Sequence, residues 1–181
     1  YREILTVVEG DGEALSALER LYLANEDWAS LIEIFGEMSR LAEDGDARRE
    51  LFFKMAQIHE EMLEEPGEAI LLYHQALDLE PSDATALDAL DRLYEDQERH
   101  ADLAEILQRK LELAEETEDR DGLEYRLGQL YQIHLMGMER AIESYQSILE
   151  RTTSHEEAIT ALEGLLEDEM YRFPASQVLE P

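Results

Sequence analysis

Apolar side chains recur at intervals of three and four along nearly the whole chain, as in Leu15, Leu18 and Tyr22 or Leu127, Leu130 and Tyr131. That period lays them along one stripe of an α-helix, and no stretch alternates as a half-buried strand does. The pattern predicts helices near 12–25, 27–44, 47–64, 67–80, 83–96, 99–117, 120–135, 138–151 and 155–170. The intervening segments are short. Gly45-Asp46 and Pro66-Gly67 supply breakers, and Pro81-Ser82-Asp83 supplies a stop followed by a cap. Short connections force successive helices into antiparallel hairpins.

The same apolar pattern returns after 72 residues without a gap. Ala14-Leu15, Ala17-Leu18 and Arg20-Leu21-Tyr22 fall on Ala86-Leu87, Ala89-Leu90 and Arg92-Leu93-Tyr94. Leu51, Gln57 and Leu63 meet Leu123, Gln129 and Leu135, and Ala69-Ile70, Tyr73 and Leu77 meet Ala141-Ile142, Tyr145 and Leu149. Between 11–82 and 83–154, 25 of 72 positions are identical, several-fold more than a bias toward Leu, Glu and Ala would give. Tyr1 and Leu5 align with Tyr73 and Leu77, so the chain is expected to open midway through a helix. Ala158, Ala161, Leu162 and Leu165 align with Ala86, Ala89, Leu90 and Leu93, so a third copy has begun near the other end. The segment 1–181 thus reads as a window on a longer array.

Each copy is two hairpins. The expected units are 12–46, 47–82, 83–118, 119–154 and an incomplete 155–181, with 1–8 the end of a preceding helix. Phe173–Pro181 leave the register and are expected to enter the next helix. One hairpin cannot bury its own apolar stripe, whereas a row of hairpins makes a continuous core. The expected fold is therefore all-α, an α-α superhelix forming a single right-handed solenoid segment.

Ala69-x3-Tyr73-x2-Ala76-x4-Pro81 resembles the second helix and closing proline of a tetratricopeptide repeat, with Phe52, Met55, Ala56 and His59 at the characteristic positions of the first helix. The equivalent unit downstream keeps Leu127, Gly128, Tyr131, Ala141, Tyr145 and Ile148, but has Thr153 at the proline position and Glu124 at the first aromatic. The alternate units, beginning near Glu13 and Thr85, match more weakly, with Glu19 and Asp91 where a small residue is usual. The resemblance covers nearly the whole chain and is similar to degenerate repeats of long bacterial arrays. It implies that one face of each first helix lines a concave groove.

A helical wheel centred on Leu127 puts Leu123, Leu130 and Tyr131 on the core stripe and Tyr125, Gln129 and Gln132 opposite it. The upstream copy has Phe53, Gln57 and Glu60 at those places. The alternate units have Ser16, Arg20 and Leu23, then Asp88, Arg92 and Glu95. Arg20, Phe53, Gln57, Arg92, Tyr125 and Gln129 are therefore the candidate partner-binding residues. Phe53 and Tyr125 either cover a neighbouring hairpin or meet a ligand, since large aromatics bring much contact area at low entropy cost. Arg20 and Arg92 either bind a partner or close local ion pairs.

Composition narrows the function. The chain carries 45 acidic and 15 basic side chains, a formal net charge of −30, so it repels phosphate backbones and attracts basic partners. Nucleic acid is thus not an expected partner. Cysteine is absent, which excludes disulfides and thiolate chemistry and is compatible with any compartment, the cytoplasm being slightly favoured. No apolar run is long enough to insert in a membrane. The five histidines, His59, His74, His100, His134 and His155, are scattered; His59 stands at the place of Tyr131 and His100 at that of Trp28, as packing variants would. No H-E-x-x-H, phosphate loop or nucleophile elbow occurs, so neither catalysis nor a metal or cofactor is expected. Members of the resembled family that clamp a C-terminal carboxylate use Lys, Asn and Arg; here Asn25 is the single Asn and the groove positions hold no Lys. The expected function is a non-enzymatic scaffold that binds a peptide or helix of another protein on its groove or acidic flank. The alternatives are a structural spacer or self-assembly segment, and a regulatory segment of a larger enzyme. The sequence leaves the oligomeric state open.

Overall fold

The structure is a computed structural model that describes residues 11–179. The expected helix end at 1–8 lies outside the described residues. Ten α-helices are present among the described residues, and no strand. They are α1 (Gly12–Ala24), α2 (Trp28–Leu41), α3 (Gly45–Gln57), α4 (Pro66–Leu79), α5 (Ala84–Asp96), α6 (His100–Leu113), α7 (Thr117–Ile133), α8 (Met138–Arg151), α9 (Glu156–Leu165) and α10 (Arg172–Leu179). Of the residues that leave the sequence register, 173–179 lie in α10, and 180–181 lie outside the described residues.

The chain divides into two compact units, residues 1–93 and 94–181. In the first, α1 to α4 pack successively against one another. Leu15, Leu18, Tyr22, Leu31, Ile34, Phe35, Leu51, Met55 and Ile58 form one buried cluster, with Trp28, Phe52 and Leu72 packed against it. In the second, α6 to α10 stack in the same sequential way. Their buried stripes hold Leu103 and Leu107, Leu127 and Tyr131, Tyr145 and Ile148, then Leu162 and Leu165. Within each unit, successive helices pack against one another, as a stack of hairpins requires.

Local chemistry repeats with the 72-residue register. Asp11, Asp83 and His155 cap α1, α5 and α9 by accepting from the backbone N–H groups of Ala14 (2.8 Å), Ala86 (3.0 Å) and Ala158 (3.2 Å). Asp27 and Asp44 do the same for α2 and α3. Asp44 is the cap and Gly45 and Asp46 already lie in the helix, so the break comes earlier than the expected Gly45-Asp46. Pro66 is the first helical residue of α4, where its missing N–H costs nothing.

Two boundaries differ from expectation for a shared reason. α2 and α6 stop at Leu41 and Leu113 because Ala42 and Ala114 turn extended. Arg48 reaches back to the carbonyls of Ser39 (3.1 Å) and Ala42 (2.6 Å), and Arg120 to those of Leu111 (3.1 Å) and Ala114 (3.0 Å). Each guanidinium satisfies two carbonyls that the ending helix leaves without an internal partner. The expected single helix 47–64 is α3 followed by a π-helical turn over Ile58–Met62. The chain then turns through Glu64 at φ 54°.

Candidate functional site

The faces opposite the core stripe carry the candidate residues. On α7, Leu127, Leu130 and Tyr131 are buried while Tyr125, Gln129 and Gln132 are half-buried, as the wheel requires. Tyr125 lies tilted against Tyr145 of α8, with ring centroids 5.9 Å apart and planes at 44°. Phe53 of α3 lies against Tyr73 of α4 in the same way, at 5.9 Å and 52°. Tilted aromatic pairs contribute roughly 0.5–1.5 kcal/mol beyond the area they bury. Phe53 and Tyr125 therefore hold equivalent poses on equivalent helices, and both remain half-exposed.

Beneath each aromatic, the tyrosine hydroxyl donates to the same register position. Tyr145 donates to Gln132 Oε1 at 2.8 Å and Tyr73 to Glu60 Oε2 at 3.5 Å. Burial pushes the Tyr73 phenol up to about 12, with the Glu60 carboxylate raising it further. Burial also pushes the Tyr145 phenol up. Both hydroxyls thus remain donors throughout the neutral range.

In the second unit, Tyr125 and Gln129 open onto a groove of about 450 Å³. Gln132 and Ile133 complete its α7 wall, Tyr145 forms its floor, and Glu156, Glu157, Thr160 and Ala161 of α9 form the other wall. Ile133 is 65% exposed, and the Gln129 amide donates to the Tyr125 hydroxyl at 3.3 Å. His155 adds a second ring contact to Tyr125 at 5.9 Å. Glu156, Glu157, Thr160 and Ala161 were not singled out from the sequence. Carrying the face of Ser16 and Asp88 over to the third copy would have found Thr160 alone among them; the other three correspond to Ala84, Thr85 and Ala89, which carry no signal in the earlier copy.

The remaining candidates belong to the first unit. Gln57 is exposed on α3. Arg20 is exposed on α1, its Nε donating to the Ser16 carbonyl at 3.3 Å. Arg92 is exposed on α5 and pairs with Glu60, Nη2 to Oε1 at 2.5 Å.

His100 stacks on His134 with centroids 3.7 Å apart, and His59 Nδ1 meets Glu65 at 2.9 Å. His100 thus makes a ring contact at the place where the first copy has Trp28. Among the described residues no three His, Asp or Glu side chains are grouped to hold a metal ion, and no helix is long and apolar enough to cross a membrane.

A family model described as "Tetratricopeptide repeat" matches residues 14–49 and 86–121. These segments are 72 residues apart, and they are the alternate units whose motif positions depart further from the family pattern. Their core stripes compensate, since Leu15, Leu18 and Tyr22, and likewise Leu87, Leu90 and Tyr94, are all buried. No curated protein matches the sequence. Among solved structures, a crystal structure of MamA is similar with a TM-score of 0.50 at 17% identity, over 88% of this chain and 88% of that one. A second crystal structure of MamA protein gives 0.50 and 17%, over 93% of this chain and 87% of the other. At this identity the likeness speaks for the fold, an all-α stack of hairpins. The chain is thus similar to tetratricopeptide repeats over 14–49 and 86–121, within an all-α fold.

Proposed function

We propose that this chain is a non-enzymatic protein-interaction scaffold that receives a peptide or helix of a partner protein on the exposed faces of its first helices. In the second unit Tyr125 and Gln129 make the contact; in the first, Phe53 and Gln57 make an equivalent one, with Arg20 and Arg92 as the further candidates of that unit. Arg92 contributes through Glu60 rather than by touching the partner directly.

The observation that carries this reading is the repeated aromatic pose. Phe53 on Tyr73 and Tyr125 on Tyr145 have the same centroid separation, on a face that the core does not use. An aromatic held by a second ring is already ordered, so binding incurs little further entropy loss. The likeness to tetratricopeptide repeats supports it, as does the net charge of −30, which draws basic partners.

The test is affinity capture with the wild-type chain and with Phe53→Ala/Tyr125→Ala as paired baits. Partners retained by the wild type should fall by about tenfold on the double variant, the range expected for a central aromatic contact. Circular dichroism should report an unchanged helical content. Equal capture by both baits would refute the groove, and loss of helicity would assign both rings to the core.

A further inference from the structure

We infer that the groove of the second unit accepts an arginine side chain from a partner peptide, at the place that Arg92 fills from within the chain in the first unit. This rests on the groove reading above and names the chemistry of its occupant.

The two copies differ at one place. In the first, Glu60 is held from two sides: the Tyr73 hydroxyl lies at 3.5 Å from Oε2 and the Arg92 guanidinium at 2.5 Å from Oε1. In the second, the Tyr145 hydroxyl makes the equivalent bond to Gln132 at 2.8 Å, which locates the same position in space. The residue 72 positions after Arg92 is Gly164, which has no side chain to send across. The guanidinium's place therefore opens onto the groove of about 450 Å³ that Gln132 and Tyr145 line.

The negative charge has moved with it. Glu60 becomes neutral Gln132, while Ala84 and Thr85 become Glu156 and Glu157 on the facing wall. The first copy thus supplies both an acid and a base, and the second supplies acids alone. His155 does not neutralise them. Its Nδ1 accepts the Ala158 N–H at 3.2 Å, so that atom has no proton to give the Glu157 carboxylate 3.5 Å away.

An arginine suits this place better than a lysine. Its planar fork can donate to the Gln132 amide oxygen and to a carboxylate of α9 together, and its flat face can lie on Tyr125. The exposed Ile133 and the half-buried Ala161 would take an apolar neighbour in the same peptide.

The probes are two pools of short peptides, randomised around a fixed central residue that is arginine in one and citrulline in the other. Citrulline keeps the shape and loses the charge. The immobilised chain should retain the arginine pool about tenfold better, as one charge-assisted hydrogen bond provides. A chain this acidic attracts any cation, so the deciding variant leaves net charge unchanged. Gln132→Glu with Gly164→Arg transplants the ion pair of the first unit. A Cβ at Gly164 meets nothing within 4 Å, so the backbone there leaves room for a side chain to start. This variant should lose the arginine preference while its melting temperature stays at or above that of the wild type. Glu156→Gln/Glu157→Gln should lose it too. Equal retention of the two pools, or an arginine preference that survives the transplant, overturns the inference. Tyr125→Ala separates the two readings. If it weakens both pools alike while the pools do not differ, the groove stands and the arginine fails. If it weakens neither while the transplant abolishes the preference, the arginine site stands without the aromatic.

Discussion

Among the described residues, four other than glycine adopt a left-handed backbone, and they form two pairs 72 apart: Glu26 with Glu98, both at φ 54°, and Glu64 at 54° with Met136 at 49°. Glu26 and Glu98 follow α1 and α5. The next N–H groups, of Asp27 and Arg99, return to the carbonyls of Tyr22 and Tyr94, both at 2.9 Å, which closes a Schellman turn. A side chain there is strained and glycine is not, although glycine costs more entropy on folding. Replacing Glu26 or Glu98 by Gly should raise stability by about 0.5 kcal/mol each, net of that cost. Urea unfolding should show a higher midpoint at constant slope. A second expectation at this scale concerns Tyr73 and Tyr145. Their folded pKa values lie above the unfolded value, about 12 for Tyr73, so the unfolded chain loses these protons first. Stability from them is complete below pH 10 and is lost as pH rises through 12. Absorbance titration should show these two phenolates forming late, together with the loss of helix. Ordinary titration of all tyrosines in the folded chain would contradict this.

Helices here end where the next helix holds them. Arg48 of α3 closes the carboxyl end of α2, and Arg120 of α7 closes that of α6, each through two carbonyls. Replacing either arginine by Met keeps the apolar stem and removes the donors. The expected loss is about 2 kcal/mol, because the freed carbonyls are partly buried and the helix dipole loses its cation. Thermal unfolding checks it, and an unchanged midpoint would show that water serves the carbonyls equally well. Arg48 and Arg120 are identical residues in the two copies, so this tie was present in the sequence. It was not legible there, because an arginine on a polar face reads as solvated surface until the carbonyl it reaches is known. The core was legible at this scale. Leu127, Leu130 and Tyr131 are buried and Tyr125 and Gln129 stand on the other face, since the wheel depends on 100° per residue alone. The π-helical turn at Ile58–Met62 was not legible. Its counterpart in the second copy begins at Leu130 and continues as the α-helix to Ile133.

For the whole chain, charge is the dominant global term. A net charge of −30 on 181 residues opposes compaction, and salt shortens the reach of that repulsion to about 8 Å at physiological strength. The melting temperature should therefore rise as sodium chloride is added at neutral pH, with most of the gain at low concentrations. A fall would mean that attractive pairs such as Arg49 with Asp83 and Arg151 with Asp121 outweigh the repulsion.

The sequence by itself determined the all-α class, the hairpin spacing and the 72-residue period, because each follows from where apolar residues fall along one helix. It determined equally which face of α3 and α7 the core would leave free. Tertiary structure alone decided what stands across from that face. Asp121 shows the principle: it is buried under Arg151 and Thr152, whereas the equivalent Arg49 reaches for Asp83. The groove follows the same rule, since Glu156 and Glu157 join Tyr125 only when α9 packs beside α7 and α8. Periodicity encodes how a helix faces its own axis. Which side chain of one helix meets which of another depends on packing distances that no spacing along a single helix contains.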